Sequence, residues 1–183
     1  MLEDEKEAIS KQMQHLQKLQ KNVEHRLNNI HSAFSLPLDE IHLMTLPPRH
    51  CHRLSEGYKH EEEMDFLMKQ LINLNQNRLY IIGSNQIGTM ISLPSLLKKK
   101  TLSYQSVFLI DEEGADLIDG GDYLCVTYRG NYEQTAYWGE QLPQYAHAHK
   151  FTIRGDLLEI LWVDIHTTSD ESEYITQLQL PIA

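Results

Sequence analysis

The chain has 183 residues, is 41% hydrophobic and 23% charged, and carries a formal net charge of −10. That size and balance fit one globular domain with an appendage and exclude a disordered or fibrous chain. No apolar run approaches the roughly 20 residues of a membrane span, and the charged start lacks a signal-peptide core, so the expected location is the cytoplasm with no membrane contact.

The charge is unevenly placed. Residues 1–34 hold five basic and five acidic residues, whereas residues 35–183 hold 11 basic and 21 acidic. Such a surface repels phosphate backbones, so this piece is not expected to bind DNA directly. It welcomes a cationic ligand, although solubility alone also explains an acidic surface. Cys51 and Cys125 each lie in a strand-like run and read as buried thiols rather than a disulfide or a metal pair.

Residues 3–32 contain no Gly or Pro. Ile9, Leu16, Val23 and Ile30 recur every seven residues, with Met13, Gln20 and Leu27 between them. That is a coiled-coil stripe, and Gln20 is a polar core position of the kind that fixes register. We expect a dimerisation helix over 1–34, pairing with a second copy through residues 3–32. Pro37 and Pro47-Pro48 mark a break after it.

The same unit then occurs twice within 37–183, over about 38–112 and 120–183. The first copy has a strand at 50–55, Gly57, an amphipathic helix over 61–74 with Met64, Phe66, Leu67, Leu71 and Leu74 apolar, and strands at 79–82, 88–93 and 106–110. The second has a strand at 123–128, Gly130, a helix over 133–148, and strands at 151–154, 157–165 and 174–181. The Asp-, Glu- and Gly-rich segment 111–122 reads as a surface linker. The fold class is α+β, antiparallel sheet with helices on one face, behind a long coiled-coil helix. A groove between two such units is a natural place for a pocket.

Glu159 sits in the most apolar stretch of the chain, Leu157-Leu158-Glu159-Ile160-Leu161-Trp162-Val163. Alternation along a strand puts it on a face with Leu157, Leu161 and Val163. A buried carboxylate must find a cation, find donors or take up a proton. Capture of a greasy cation is one such role; a solvated face or pairing with Arg154 is the other explanation. Tyr123, Tyr128, Tyr132, Tyr137, Trp138, Trp162 and Tyr174 all belong to the second copy, and several are expected to line one cavity with Glu159. Aromatic walls and one acid suit a lipophilic cation. Tyr123 and Tyr128 must point to opposite faces, so both cannot line it.

Other motifs fail. The segment 83–89 has the glycine spacing of a phosphate loop but lacks the following Lys, and reads as a hairpin turn. His60-Glu61 has Met64 where a zinc-protease helix has its second His. His50 with His52, and His147 with His149, lack ligands at metal spacing. No nucleophile has a marked setting, so neither catalysis, a metal nor a cofactor is expected.

The segment Gly121-Asp122-Tyr123-Leu124-Cys125-Val126-Thr127-Tyr128-Arg129-Gly130-Asn131-Tyr132 resembles the opening of the second repeat in GyrI-like domains. The strand carrying Glu159 and the ending Tyr174-Ile175-Thr176-Gln177-Leu178-Gln179-Leu180-Pro181-Ile182 are similar to that family's closing pattern. In some members the domain follows a long dimerisation helix and a winged helix-turn-helix, as in MerR-type drug sensors. The resemblance implies a two-repeat effector-binding domain whose acid, at Glu159, meets a cationic aromatic effector. It implies that Tyr132 and Tyr174, and further out Trp138, Trp162 and Tyr123, contact that effector. DNA would be reached only through a winged helix that this chain lacks, so a fragment of a longer regulator is expected over a stand-alone sensor. Two alternatives stand beside this: a stand-alone GyrI-like hydrolase of reactive small molecules, with Glu159 as acid or base, and a protein-binding inhibitor that acts through its acidic surface.

Overall fold

The computed structural model describes residues 2–58, 61–74, 86–98 and 102–183. Helix α1 runs from Leu2 to Ala33. The heptad residues Ile9, Met13, Leu16, Val23 and Leu27 are all exposed on it. A second stripe, one residue earlier in each turn, faces the rest of the chain: Leu19, Asn22 and Asn29 are half-buried, and Arg26 and Ala33 are buried. The helix is thus docked by one mostly polar face while its apolar face stays open.

The sheet has eight strands: β1 (His42–Leu46), β2 (Arg49–Leu54), β3 (Ile87–Ile91), β4 (Tyr104–Ile110), β5 (Asp116–Ile118), β6 (Gly121–Arg129), β7 (Leu157–Val163) and β8 (Ile175–Ile182). Their order is β1-β6-β8-β7-β3-β4-β2-β5, and every neighbouring pair is antiparallel. Helix α2 (Glu61–Leu74) follows β2, and helix α4 (Glu133–Ala148) follows β6. The same strand–helix–strand–strand unit therefore occurs twice, with sheet orders β2-β4-β3 and β6-β8-β7. A short helix α3 (Leu93–Leu97) follows β3 and packs against α4.

The two halves meet twice. Strands β3 and β7 pair in the middle of the sheet, with Thr89 opposite Glu159 at the centre of the five-pair ladder. At the edges, the β1–β6 and β2–β5 ladders are one ladder bent in two. His42 opposes Cys125 and Leu46 opposes Gly121; beyond Pro47-Pro48 and Asp119-Gly120, Arg49 opposes Ile118 in unchanged register. Prolines at that point end the hydrogen-bonding of one strand and fold it over. The sheet curls so far that the Arg49 guanidinium on β2 donates to Gln179 on β8 at 2.8 Å, across β4, β3 and β7.

Each face of the curled sheet has its own core. On the helix side, Leu124, Val126, Tyr128, Leu157, Leu178 and Leu180 pack with Leu142 and Ala146 of α4. Beside them Leu67, Met68 and Leu71 of α2 pack on Ile87, Val107, Leu109 and Leu161. The face about which the sheet curls holds Cys51, Phe108, Tyr123, Cys125, Leu158 and Ile160.

The observed elements depart from expectation at several places. Residues 151–154 form no strand, only a single bridge of Ile153 to Ile182, closed by the hydrogen bonds of Thr152 with Ala183 and of Arg154 with Pro181 at the end of the chain. The segment 111–122 contains β5, which exists by completing the bent ladder. Strand β1 was not anticipated, for the same reason. In α2, Phe66 is 62% exposed and Met68 takes the buried position instead. The expected strand at 79–82 and residues 83–85 of the expected turn lie outside the described residues, and Ile87–Thr89, expected in that turn, belong to β3. Among the described residues, no helix is long and apolar enough to cross a membrane.

Gly88 shows how tightly the seam is built. A Cβ there would stand 2.3 Å from the Phe108 ring and 2.8 Å from the Glu159 carbonyl oxygen. Gly88→Ala should therefore destabilise the fold by about 1–3 kcal/mol, read as a fall in the urea midpoint at unchanged slope.

Candidate functional site

Strand β7 carries the site because its alternation survives as far as Leu161. Leu157, Glu159 and Leu161 face the helices; Leu158, Ile160 and Trp162 face the other side. A register shift between Leu161 and Val163 then breaks the alternation. Glu159 is 3% exposed. Its Oε2 accepts from the Thr89 hydroxyl at 2.9 Å, and its Oε1 from the Thr135 hydroxyl at 2.6 Å. One donor comes from β3 of the first repeat and the other from α4 of the second, so the carboxylate is held by both halves of the molecule. The Tyr128 hydroxyl lies 2.6 Å from the same Thr135 oxygen. The two threonine hydroxyls satisfy lone pairs of the buried carboxylate. Arg154 is not the partner: it is exposed and donates to the Ile182 carbonyl at 2.6 Å.

Tyr132, just before α4, stacks on Tyr174 with ring centroids 5.5 Å apart and planes at 29°. Burial pushes the Tyr132 hydroxyl well above the usual phenol range, and the charges of Asp164 and then Glu159 push it further. Tyr132 thus lies in the field of both carboxylates. Tyr128 is raised by burial first and by Glu159 second. Tyr58 stacks on Tyr104 at 4.5 Å, in the same apolar cluster on which Tyr132 packs.

Of the expected site residues, Tyr132 stacks on Tyr174 and lies in the field of Glu159, and the other three are placed elsewhere. Tyr123 and Trp162 lie on the opposite face of the sheet, Tyr123 with its hydroxyl on the Asp119 carbonyl. Alternation along β6 selects Tyr128, not Tyr123, for the helix side. Trp138 packs edge-on to Tyr137 at 5.0 Å and against the core beneath α4. Tyr128 stood only as the alternative to Tyr123, and Thr89 and Thr135 were missed. Their only sequence signal was the position of Thr89 and Glu159 in equivalent strands of the two repeats. An open depression of about 430 Å³ beside α2, lined by Glu56, Gly57, Tyr58, Glu63, Phe66 and Leu67, contains none of the expected site residues.

These shifts predict alkaline sensitivity. Burial raises the Cys125 thiol to about 12 from 9.0, and holds Tyr128 and Tyr132 above 10.0. Above those ordinary values the unfolded chain loses protons that the folded chain keeps, so stability falls as pH rises. Urea midpoints should drop steadily once the pH passes about 9, and two phenols should ionise only on unfolding, read by phenolate absorbance.

No family model and no curated protein sequence matches the chain. Solved structures do. The EcmrR–DNA complex determined by cryo-electron microscopy aligns with 99% of this chain and 70% of its own, at a TM-score of 0.63 and 14% identity. The crystal structure of the EcmrR C-terminal domain aligns with 79% of this chain and 97% of its own, at 0.59 and 14%. SAV2435 bound to tetraphenylphosphonium aligns with 79% and 94%, at 0.50 and 15%. The chain has the GyrI-like α+β fold, with the long N-terminal helix inside the match to EcmrR.

Proposed function

We propose that the chain is the effector-binding part of a MerR-type transcription regulator and that its effector is a lipophilic, aromatic cation. One observation carries this reading: a carboxylate 3% exposed, held between the two repeats by neutral hydroxyls, beside a stacked tyrosine pair. A buried carboxylate attracts a ligand cation strongly in a region of low polarity, and tyrosine faces stabilise the cation further. The tetraphenylphosphonium complex of SAV2435, a protein of similar fold, supports the ligand class. The match of α1 to the EcmrR chain in its DNA complex supports the regulator setting. In this reading DNA is contacted by a winged helix-turn-helix outside these 183 residues.

The site is read as binding without turnover. The hydroxyls on and beside Glu159 belong to Thr89, Thr135 and Tyr128, all within the packed seam of the two repeats, and burial keeps Tyr128 protonated.

Titration with tetraphenylphosphonium, followed by intrinsic fluorescence and calorimetry, should give saturable binding in the micromolar range, about −8 kcal/mol. Glu159→Gln keeps the shape and removes the charge, and should weaken binding at least about tenfold. Equal affinity in the parent and the variant would sink the reading.

The exposed heptad face of α1 supports a second copy as partner. Sedimentation should give a dimer for the parent chain, and a Leu16→Glu, Val23→Glu double variant should sediment as a monomer. A monomeric parent would reject that assignment.

A further inference from the structure

The two faces of the sheet are finished differently. Helices α2 and α4 cover one of them, and neither packs on the face about which the sheet curls. On that inner face Met44, Leu46, Met90, Ile110 and Trp162 pack on the buried cluster yet stay only partly buried, so the curl forms an apolar groove that is open along its rim. Alternation along β2 puts Arg49 and Arg53 on the same face, because Cys51 between them belongs to its cluster. Arg53 stands in one row with Phe108, Gly88 and Ile160, and Ser106 in the following row with Met90 and Leu158. Donors on this face lack acceptors. Arg49 Nη2 donates to Gln179 at 2.8 Å and Arg53 Nη2 to the Leu117 carbonyl at 3.5 Å, but the buried Nε of each finds no acceptor. Trp162 Nε1 and the hydroxyl of Ser106, 2% exposed, find no partner either. Neither arginine joins an ion pair among the described residues. Asp116, the acid opposite Cys51, accepts from the Arg53 amide at 3.0 Å and lies outside ion-pairing distance of both guanidinium groups.

We propose that this groove is a second binding site, for an aromatic carboxylate, with the carboxylate held beside Cys51 by Arg49 and Arg53 and the ring laid on the apolar row of Phe108 and Ile160. Buried donors without acceptors are costly, and a carboxylate supplies acceptors and countercharge together. A guanidinium presents its donors as a planar fork that fits a carboxylate. Both guanidinium groups favour the ionised form of the Cys51 thiol, although burial outweighs them, which sets both charges beside that sulfur. Arg49 is held in place from behind. Gln179, which accepts from it, donates to Gln177 at 2.7 Å, and Gln177 donates to the Thr127 hydroxyl at 3.1 Å. The chain's net charge of −10 disfavours multiply charged anions such as sulfate, so an anion that enters here carries one charge and gains the rest of its affinity from apolar contact. The groove lies on the opposite side of β7 from Glu159, so this inference is independent of the cation reading.

The test is calorimetric titration of the full chain with 2-naphthoate and with 2-naphthalenemethanol, which has the same rings and no charge. The parent should bind the acid saturably and at least about tenfold more tightly than the alcohol. Arg53→Met and Arg49→Met should each weaken the acid at least about tenfold and leave the alcohol unchanged, with circular dichroism confirming the fold. Arg53→Lys keeps the charge without the fork and should recover part of the loss. Arg49 also ties β2 to β8, so if Arg49→Met does not fold, Arg53→Met carries the test alone. Glu159→Gln should bind the acid as the parent does. Equal affinity for acid and alcohol in the parent, or unchanged affinity for the acid in the folded arginine variants, overturns the proposal. Loss of naphthoate binding in Glu159→Gln would put the ligand on the helix side and overturn it as well. The tetraphenylphosphonium titration decides the Glu159 reading separately.

Discussion

The pairing of β3 with β7 is the constraint around which the molecule is organised. Five residue pairs join the two repeats there, with Thr89 and Glu159 at the centre. Everything that makes the site unusual follows from placing a carboxylate at that position. The helices α2 and α4 lie on the same face and remove it from water. Hydroxyls from both repeats must then satisfy it, because an unsatisfied buried carboxylate costs far more than a hydrogen bond returns. Gly88 and Phe108 close the opposite side of the ladder, so the strand pair has no room to relax.

The parts legible in the sequence were those set by local period. The seven-residue repeat of Ile9, Leu16, Val23 and Ile30 specified α1, and alternation along 157–163 grouped Glu159 with Leu157 and Leu161 without showing which side of the sheet they cover. Alternation also showed that Tyr123 and Tyr128 had to part company, without showing which of them joined Glu159. The parts not legible depend on partners distant in sequence. Strands β1 and β5 exist only as the two ends of one bent ladder, so neither has a strong pattern of its own. Trp162 was misread for a similar reason: composition put it near Glu159, but one residue along a strand reverses the face. Thr89 and Thr135 carry no charge or bulk to mark them, although they are the groups that touch the carboxylate.

Helix α1 displays two stripes with opposite chemistry. The apolar one, readable as a heptad, is exposed on the described chain. The polar one, Leu19, Asn22, Arg26, Asn29 and Ala33, is the one that docks. A single helix thus presents a surface for a second copy and, a third of a turn away, a buried guanidinium at the end of β7.

The bent ladder restricts how the chain can vary in length. Register is the same on both sides of the fold, with Leu46 opposite Gly121 and Arg49 opposite Ile118. One link is Pro47-Pro48 and the other Asp119-Gly120, so the two strands count out equal numbers of residues around the corner. A single insertion in either link would set the two halves of the ladder out of step and turn Arg49 and Cys51 away from the face they share with Tyr123 and Cys125. Length changes at this corner are therefore tolerable only in matched pairs, one on each strand. Two surface links, which by position alone would rank among the freest segments of the chain, are bound to each other's length.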